Sequence, residues 1–224
     1  MKTAVKICGI TDARGLAAAV DGGAAYVGFV FFRRSPRFIT PEQASVLVDD
    51  LTADVKRGVK TVGLFVDPTD AELDAVLAHV RLDIIQLHGK ETPARVDQVR
   101  ALSGLEVMKA IGVESERDVI AARAYEGHAD WLLFDAKAPK DATRPGGNAV
   151  AFNWAIMKSY TGKTPWMLAG GLTRANVGAA VKTSGARAVD VSSGVESKPG
   201  IKSPARIRAF LKAVAAASAS RARG

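Results

Sequence analysis

The chain has 224 residues, 31 Lys+Arg against 23 Asp+Glu, 48% apolar residues, 24% charged residues, one cysteine and three histidines. That length suits one large domain or two small ones, and the charge fraction is that of a folded protein, which excludes wholesale disorder. A lone Cys8 excludes an internal disulfide and points to a reducing, cytoplasmic setting, and scattered His79, His88 and His128 offer no metal-ligand pair at zinc spacing. The longest strongly apolar run, Tyr26 to Phe32, is far short of a bilayer span, and Lys6 and Asp12 interrupt what a signal peptide would keep apolar. The formal net charge of +8 is the unusual figure, but it is local. Residues 197–224 hold seven bases (Lys198, Lys202, Arg206, Arg208, Lys212, Arg221 and Arg223) and no acid, so the rest of the chain is almost neutral. Bases without interleaved aromatics decorate a last helix and a basic tail from about 218 to 224, and do not make a nucleic-acid surface.

Eight short apolar runs follow one another along the chain: AVKIC (4–8), YVGFVFF (26–32), KTVGLFV (60–66), DIIQLH (83–88), EVMKAIGV (106–113), WLLFDA (131–136), PWMLAGG (165–171) and RAVDVSS (187–193). Near-continuous apolarity is the pattern of parallel strands covered on both faces. Helix starts lie between them. Thr40-Pro41-Glu42-Gln43 and Thr69-Asp70-Ala71-Glu72 have capping-box spacing, the second followed by Leu73, Val76, Leu77 and Val80 on one face. Thr92-Pro93, Ser115, Thr173 and Ser203-Pro204 mark further starts, the last leading into the stripe Ile207, Phe210, Leu211 and Val214. After the sixth run the helix is weak and delayed: residues 137–151 are polar and rich in Pro and Gly, with a short helix near Phe152–Met157. The pattern predicts a single (β/α)₈ barrel of class α/β over residues 1–224, with an open doubly wound sheet as the alternative.

In such a barrel the chemistry sits at the C-terminal ends of the strands. Cys8 falls there, either as a small buried hydrophobe or as a thiolate base helped by the N–H groups of a helix opening near Thr11. Asp135 ends an apolar run; a carboxyl held partly out of water can stay protonated and act as a general acid, or it is a solvated strand-end residue. Arg37 suits a carboxylate ligand, or lies in a solvated basic loop, and His88 is a site residue or a satisfied polar group. Asp190 breaks an apolar strand and needs partners such as ligand hydroxyls. Gly170-Gly171 would let backbone N–H groups approach an anion, and Ser193-Gly194-Val195-Glu196 has the spacing of a short helix start aimed at the same place.

Taken together, KICGIT (6–11), GFVFFRRSPR (28–37), GLFVD (63–67), QLHG (86–89), LLFDAK (132–137), GGL-x₃-NV (170–177) and VDVSSGVE (189–196) resemble the phosphoribosylanthranilate isomerase family of tryptophan biosynthesis. The resemblance implies an Amadori rearrangement by general acid–base catalysis, with no cofactor and no metal. N-(5-phospho-β-D-ribosyl)anthranilate would become 1-(2-carboxyphenylamino)-1-deoxyribulose 5-phosphate. It further implies Cys8 as general base, Asp135 as general acid, Arg37 on the anthranilate moiety, and His88 and Asp190 lining the substrate cavity. Gly170, Gly171, Ser192 and Ser193 would cradle the phosphate. The chain departs from the family pattern at Ala149 and Asn153, where Gly and Asp are commoner. An indole-glycerol-phosphate synthase is the competing barrel enzyme; it relies on strand-end lysines and glutamates, whereas here the first and sixth runs end in Cys8 and Asp135, although Lys109 lies in the fifth.

Overall fold

Eight parallel strands close on themselves in the computed structural model, which describes residues 2–49, 58–137 and 151–221. They are β1 (Ala4–Cys8), β2 (Tyr26–Val30), β3 (Lys60–Phe65), β4 (Ile84–Leu87), β5 (Glu106–Val113), β6 (Trp131–Ala136), β7 (Trp166–Leu168) and β8 (Ala188–Val191), each paired with its neighbours in sequence. β8 returns to β1 with Lys6 opposite Asp190, so the sheet is a barrel and not the open alternative. The seventh run is the most shortened: Gly170 and Gly171 take positive φ (86° and 59°), which turns the chain out of the strand after Ala169.

Alternation divides the strand residues between two cores. One set packs against the surrounding helices in the larger core. The other (Val62, Ile84, Met108, Ala110, Leu133, Met167, Ala169 and Ala188) fills the barrel interior. Tyr26 and Trp131, at the first positions of β2 and β6, meet edge-to-face at 6.0 Å and close the N-terminal end of that interior.

The helices begin largely where the caps predict. In α1 (Ala13–Asp21), α2 (Pro41–Asp49), α3 (Asp70–Leu77) and α4 (Pro93–Ser103) the preceding polar residue satisfies early N–H groups, reciprocally at Thr40/Gln43 and Thr69/Glu72. At α5 (Glu116–Ala121) the Ser115 N–H and hydroxyl donate to the Asp118 carboxylate. α6 (Val177–Ser184) starts three residues later than Thr173 predicts, its N-cap being Asn176. Asn176 is engaged instead: its side chain accepts from the Thr173 N–H and donates to the Gly171 carbonyl, knitting the β7 turn before the helix begins. The weak element after β6 is a 3₁₀ helix, Trp154–Ser159, whose N-cap is the departing residue Asn153. Ala149 and nearly all of the 137–151 segment lie outside the described residues. α7 (Pro204–Arg221) buries Ile207, Phe210, Leu211 and Val214 as predicted, packs against α1 and α6, and continues helical through residues 218–221 of the basic tail. Among the described residues no helix is long and apolar enough to cross a membrane.

Candidate active site

Above the apolar interior the inward-facing residues turn polar. On β1, Lys6 and Cys8 stand two residues apart on the inner face, both buried. The Lys6 ammonium pairs with Asp190 Oδ1 at 3.0 Å. Across from Cys8 the β2 residue is Gly28; a Cβ there would sit 3.1 Å from Cys8 Sγ and 3.2 Å from Lys6 Nζ, so thiol and ammonium converge over a position kept empty. Burial pushes the Cys8 thiol above its ordinary value, and the Lys6 charge offsets only part of that. Burial likewise works against the Lys6 charge, but Asp190 and Cys8 outweigh it and hold the ammonium charged. The helix expected near Thr11 is α1, which opens at Ala13 with the Asp12 carboxylate capping it 2.7 Å from the Gly15 nitrogen. The charges that favour the Cys8 thiolate are those of Lys6 and Lys202.

Asp135, the penultimate residue of β6, is 7% exposed, so it is no solvated strand-end carboxylate. Its Oδ1 accepts from the Ala136 N–H at 2.9 Å, and its Oδ2 lies 3.3 Å from Nε2 of His88. His88 in turn meets Gln86 through Nδ1 at 3.0 Å. Behind Asp135, a Cβ on Gly170 would come within 2.6 Å of the Ala136 nitrogen, so the glycine lets the β7 turn lie directly against the end of β6.

Arg37 is buried, not part of a solvated loop. Its Nε and Nη2 form a two-pronged pair with Glu196 at 2.6 and 2.9 Å, leaving Nη1 for a further partner. Glu196 belongs to a hairpin, β9 (Glu196–Lys198) and β10 (Ile201–Lys202), that follows β8. The helix start predicted from Ser193 to Glu196 is therefore only a three-residue 3₁₀ turn, because Glu196 turns to the two cations and does not cap. Lys202 reaches Glu196 at 2.7 Å and the Ser192 carbonyl at 3.0 Å, while the Ser192 hydroxyl donates to the Cys8 carbonyl at 3.0 Å. Burial opposes the Glu196 charge, but Arg37 and Lys202 outweigh it and hold the carboxyl below its ordinary value. A Cβ on Gly194 would overlap the Leu172 carbonyl, so the loops after β7 and β8 touch there, placing Gly170, Gly171, Ser192 and Ser193 on one side of the barrel mouth.

Lys109 lies elsewhere. It sits between the inward residues Met108 and Ala110, and its ammonium is held by the Leu87 and Gly89 carbonyls and by Glu91 at 2.9 Å. It therefore faces the helices, as a strand-end catalytic lysine would not. Sequence reasoning passed over Lys6, Gln86, Glu196 and Lys202. Lys6 and Gln86 carried a usable signal, each being a polar residue in an apolar run two positions before a singled-out residue.

Comparison with known proteins places the chain in a family. The family model for N-(5'-phosphoribosyl)anthranilate (PRA) isomerase matches residues 5–213. An N-(5'-phosphoribosyl)anthranilate isomerase of Paracoccus denitrificans is 59% identical over 94% of this chain and 96% of its own. The same enzyme of Paramagnetospirillum magneticum is 57% identical over 95% and 97%. Among solved structures, phosphoribosyl anthranilate isomerase of Thermotoga maritima superposes with a TM-score of 0.80 at 35% identity, covering 95% of this chain and 98% of that one. A phosphoribosyl anthranilate isomerase in complex with reduced 1-(o-carboxyphenylamino)-1-deoxyribulose 5-phosphate gives 0.79 at 33%, with the same coverage. With its barrel and its sequence in agreement over nearly the whole length, the chain belongs to the N-(5'-phosphoribosyl)anthranilate isomerase family.

Proposed function

We propose that this protein isomerises N-(5-phospho-β-D-ribosyl)anthranilate to 1-(2-carboxyphenylamino)-1-deoxy-D-ribulose 5-phosphate in the cytoplasm, with Asp135 as general acid and Cys8 as general base. The observation that carries the assignment of roles is the pair of buried, proton-exchanging groups at one end of the barrel, Cys8 on β1 and Asp135 on β6.

The reaction requires two proton transfers. Asp135 gives its proton to the ring oxygen as the C1–O bond breaks, and the substrate nitrogen lone pair forms the C1 iminium. Cys8 then takes the C2 proton, and the electrons of that C–H bond neutralise the iminium to give an enolamine, which tautomerises to the ketose. The rearrangement is redox-neutral, so acid and base suffice. A base must be unprotonated, and burial raises the Cys8 thiol; Lys6 acts against that rise by facing the thiolate with a charge. Arg37, with Glu196 fixing its plane, offers Nη1 to the anthranilate carboxylate. Asp190 and His88 line the sugar side. Backbone N–H groups at Gly170 and Gly171, with Ser192 and Ser193, hold the phosphate away from the reacting carbons, where binding serves to orient the sugar. The Ser192 hydroxyl is engaged with Cys8 and Lys202, so its contribution to the phosphate is through its backbone. Neither nucleic acid nor membrane enters this function.

The test supplies the substrate from anthranilate and phosphoribosyl pyrophosphate with the preceding transferase, and follows loss of substrate fluorescence. Cys8→Ala and Asp135→Asn are each expected to lower kcat at least about 10²-fold. Full activity in either variant removes that residue's role, and an inactive wild type removes the function.

A further inference from the structure

The imidazole of His88 is held from both sides. Nε2 faces Asp135 Oδ2 at 3.3 Å and Nδ1 faces the side-chain nitrogen of Gln86 at 3.0 Å, while the His88 backbone N–H donates to the Phe65 carbonyl at 2.8 Å. The Gln86 side-chain nitrogen can only donate, so Nδ1 accepts there. A neutral imidazole has one N–H, which then lies on Nε2, facing Asp135. The Gln86 amide is fully buried, and its Oε1 has no hydrogen-bond partner among the described residues. The other two histidines are arranged the opposite way. His79 meets the Ala75 carbonyl and His128 meets the Asp97 carboxylate, each through Nδ1, at 2.9 and 2.6 Å. Both acceptors call for a hydrogen on Nδ1.

We propose that Gln86 is a positioning residue for the isomerisation: it holds neutral His88 in the Nε2–H tautomer facing Asp135. This rests on the reading of Asp135 as the acid. Two things follow for the proton. An imidazole with Nε2 already protonated cannot take the acidic proton from Asp135, so that proton is left for the ring oxygen of the sugar. When the proton has gone, the His88 N–H donates to the new carboxylate, and no proton leaves His88. With the other tautomer, a bare Nε2 would compete with the substrate for the same proton. Gln86 does this without charge, which a carboxylate at the same position would not: it would draw a hydrogen onto Nδ1 and favour the doubly protonated ring.

The experiment records ¹H–¹⁵N correlations of the full-length protein labelled at histidine, at a pH well above the ordinary imidazole pKa of about 6.5. It runs beside steady-state kinetics, with His88→Asn to assign the signal. The expected wild-type spectrum has His88 bare at Nδ1, against His79 and His128 protonated there. Gln86→Met is expected to give His88 a mixture of tautomers and to lower kcat about tenfold or more, with KM changed less than about threefold, as loss of an orienting partner does. Gln86→Glu is expected to protonate Nδ1 and lower kcat further. A wild-type His88 protonated on Nδ1 overturns the proposal, as does a Gln86→Met variant with unchanged tautomer and kcat. Should Gln86→Met fail to fold, the wild-type and Gln86→Glu spectra decide. An Asp135→Asn variant that keeps full activity while the wild-type tautomer is as expected removes the acid assignment and leaves the tautomer result standing.

Discussion

Two buried lysine–carboxylate pairs lie on opposite faces of the same closed sheet. Lys109 and Glu91 sit between barrel and helices at 2.9 Å; Lys6 and Asp190 sit inside the barrel at 3.0 Å. The outer pair is closed. Lys109 uses two carbonyls besides Glu91, the Glu91 oxygens also accept from the Asp67 and Gly89 N–H groups, and the Tyr125 ring lies 5.9 Å from the ammonium. The inner pair is open: beyond Asp190, the other neighbour acting on Lys6 is the Cys8 thiol. The same two functional groups thus do different work according to what completes their coordination. Where backbone completes it, the charge fixes a turn, here the one carrying His88. Where a reactive side chain stands in that place, the charge sets how easily that side chain gives up its proton.

This contrast breaks if the two lysines behave alike on removal. Lys109→Met leaves Glu91 buried without its cation and is expected to cost about 3–5 kcal/mol of stability in urea denaturation. The variant's kcat under folding conditions should stay within about tenfold of wild type. Lys6→Met is expected to do the reverse, lowering kcat/KM at neutral pH about 10²-fold, or about 2.7 kcal/mol in the barrier. The direction with pH is fixed. As the proposed base, Cys8 works unprotonated; its thiol is already raised, so removing Lys6 pushes it further up, and the rise of kcat/KM with pH moves to more alkaline values. A pH profile that falls in height without moving would show Lys6 to be structural, like Lys109.

The smallest effect belongs to a third buried carboxylate. Glu196 is held below its ordinary value, so the stability it contributes is complete above the unfolded carboxyl pKa of about 4.3. It is lost as pH falls through the lower folded value. Glu196→Gln should be less stable at neutral pH but flatter across that acid window, which urea midpoints taken from neutral pH down to about pH 3 resolve. Equal acid slopes in wild type and variant would mean that Arg37 and Lys202 do not hold this charge.

The barrel was legible because its strands are buried on both faces and its helices carry local caps; both signals lie within a few neighbouring residues. Thr40, Thr69, Thr92 and Ser203 act within three positions, and α2, α3, α4 and α7 start where they indicate. Asn176 spends its side chain on the β7 turn, and there the start of α6 was misplaced. The groups expected at the mouth of the barrel were readable as strand-end polar residues. Their partners were not, because Lys6 meets a residue 184 positions away and Arg37 one 159 positions away. Such pairing is set by barrel register and by the β9–β10 hairpin, neither of which leaves a local trace. Glu196 shows the cost of local reasoning: its spacing from Ser193 imitates a cap, while its charge is used across the barrel mouth.

The β9–β10 hairpin has a consequence for the order in which this molecule becomes competent. A Cβ on Gly200 would overlap the Pro36 carbonyl, so the hairpin lies directly on the loop that carries Arg37, and the Thr11 hydroxyl reaches the Gly200 carbonyl from the other side. Residues that precede β3 are thus set in place by residues made after β8. The partner of Lys6 arrives at position 190, the partner of Arg37 at 196 and that of Ser192 at 202. A nascent chain with six or seven strands outside the ribosome holds Cys8 and Asp135 but neither the charge pair at its base nor the fixed guanidinium. Catalytic competence therefore appears late and together with closure of the barrel, which makes turnover a reporter of completed folding.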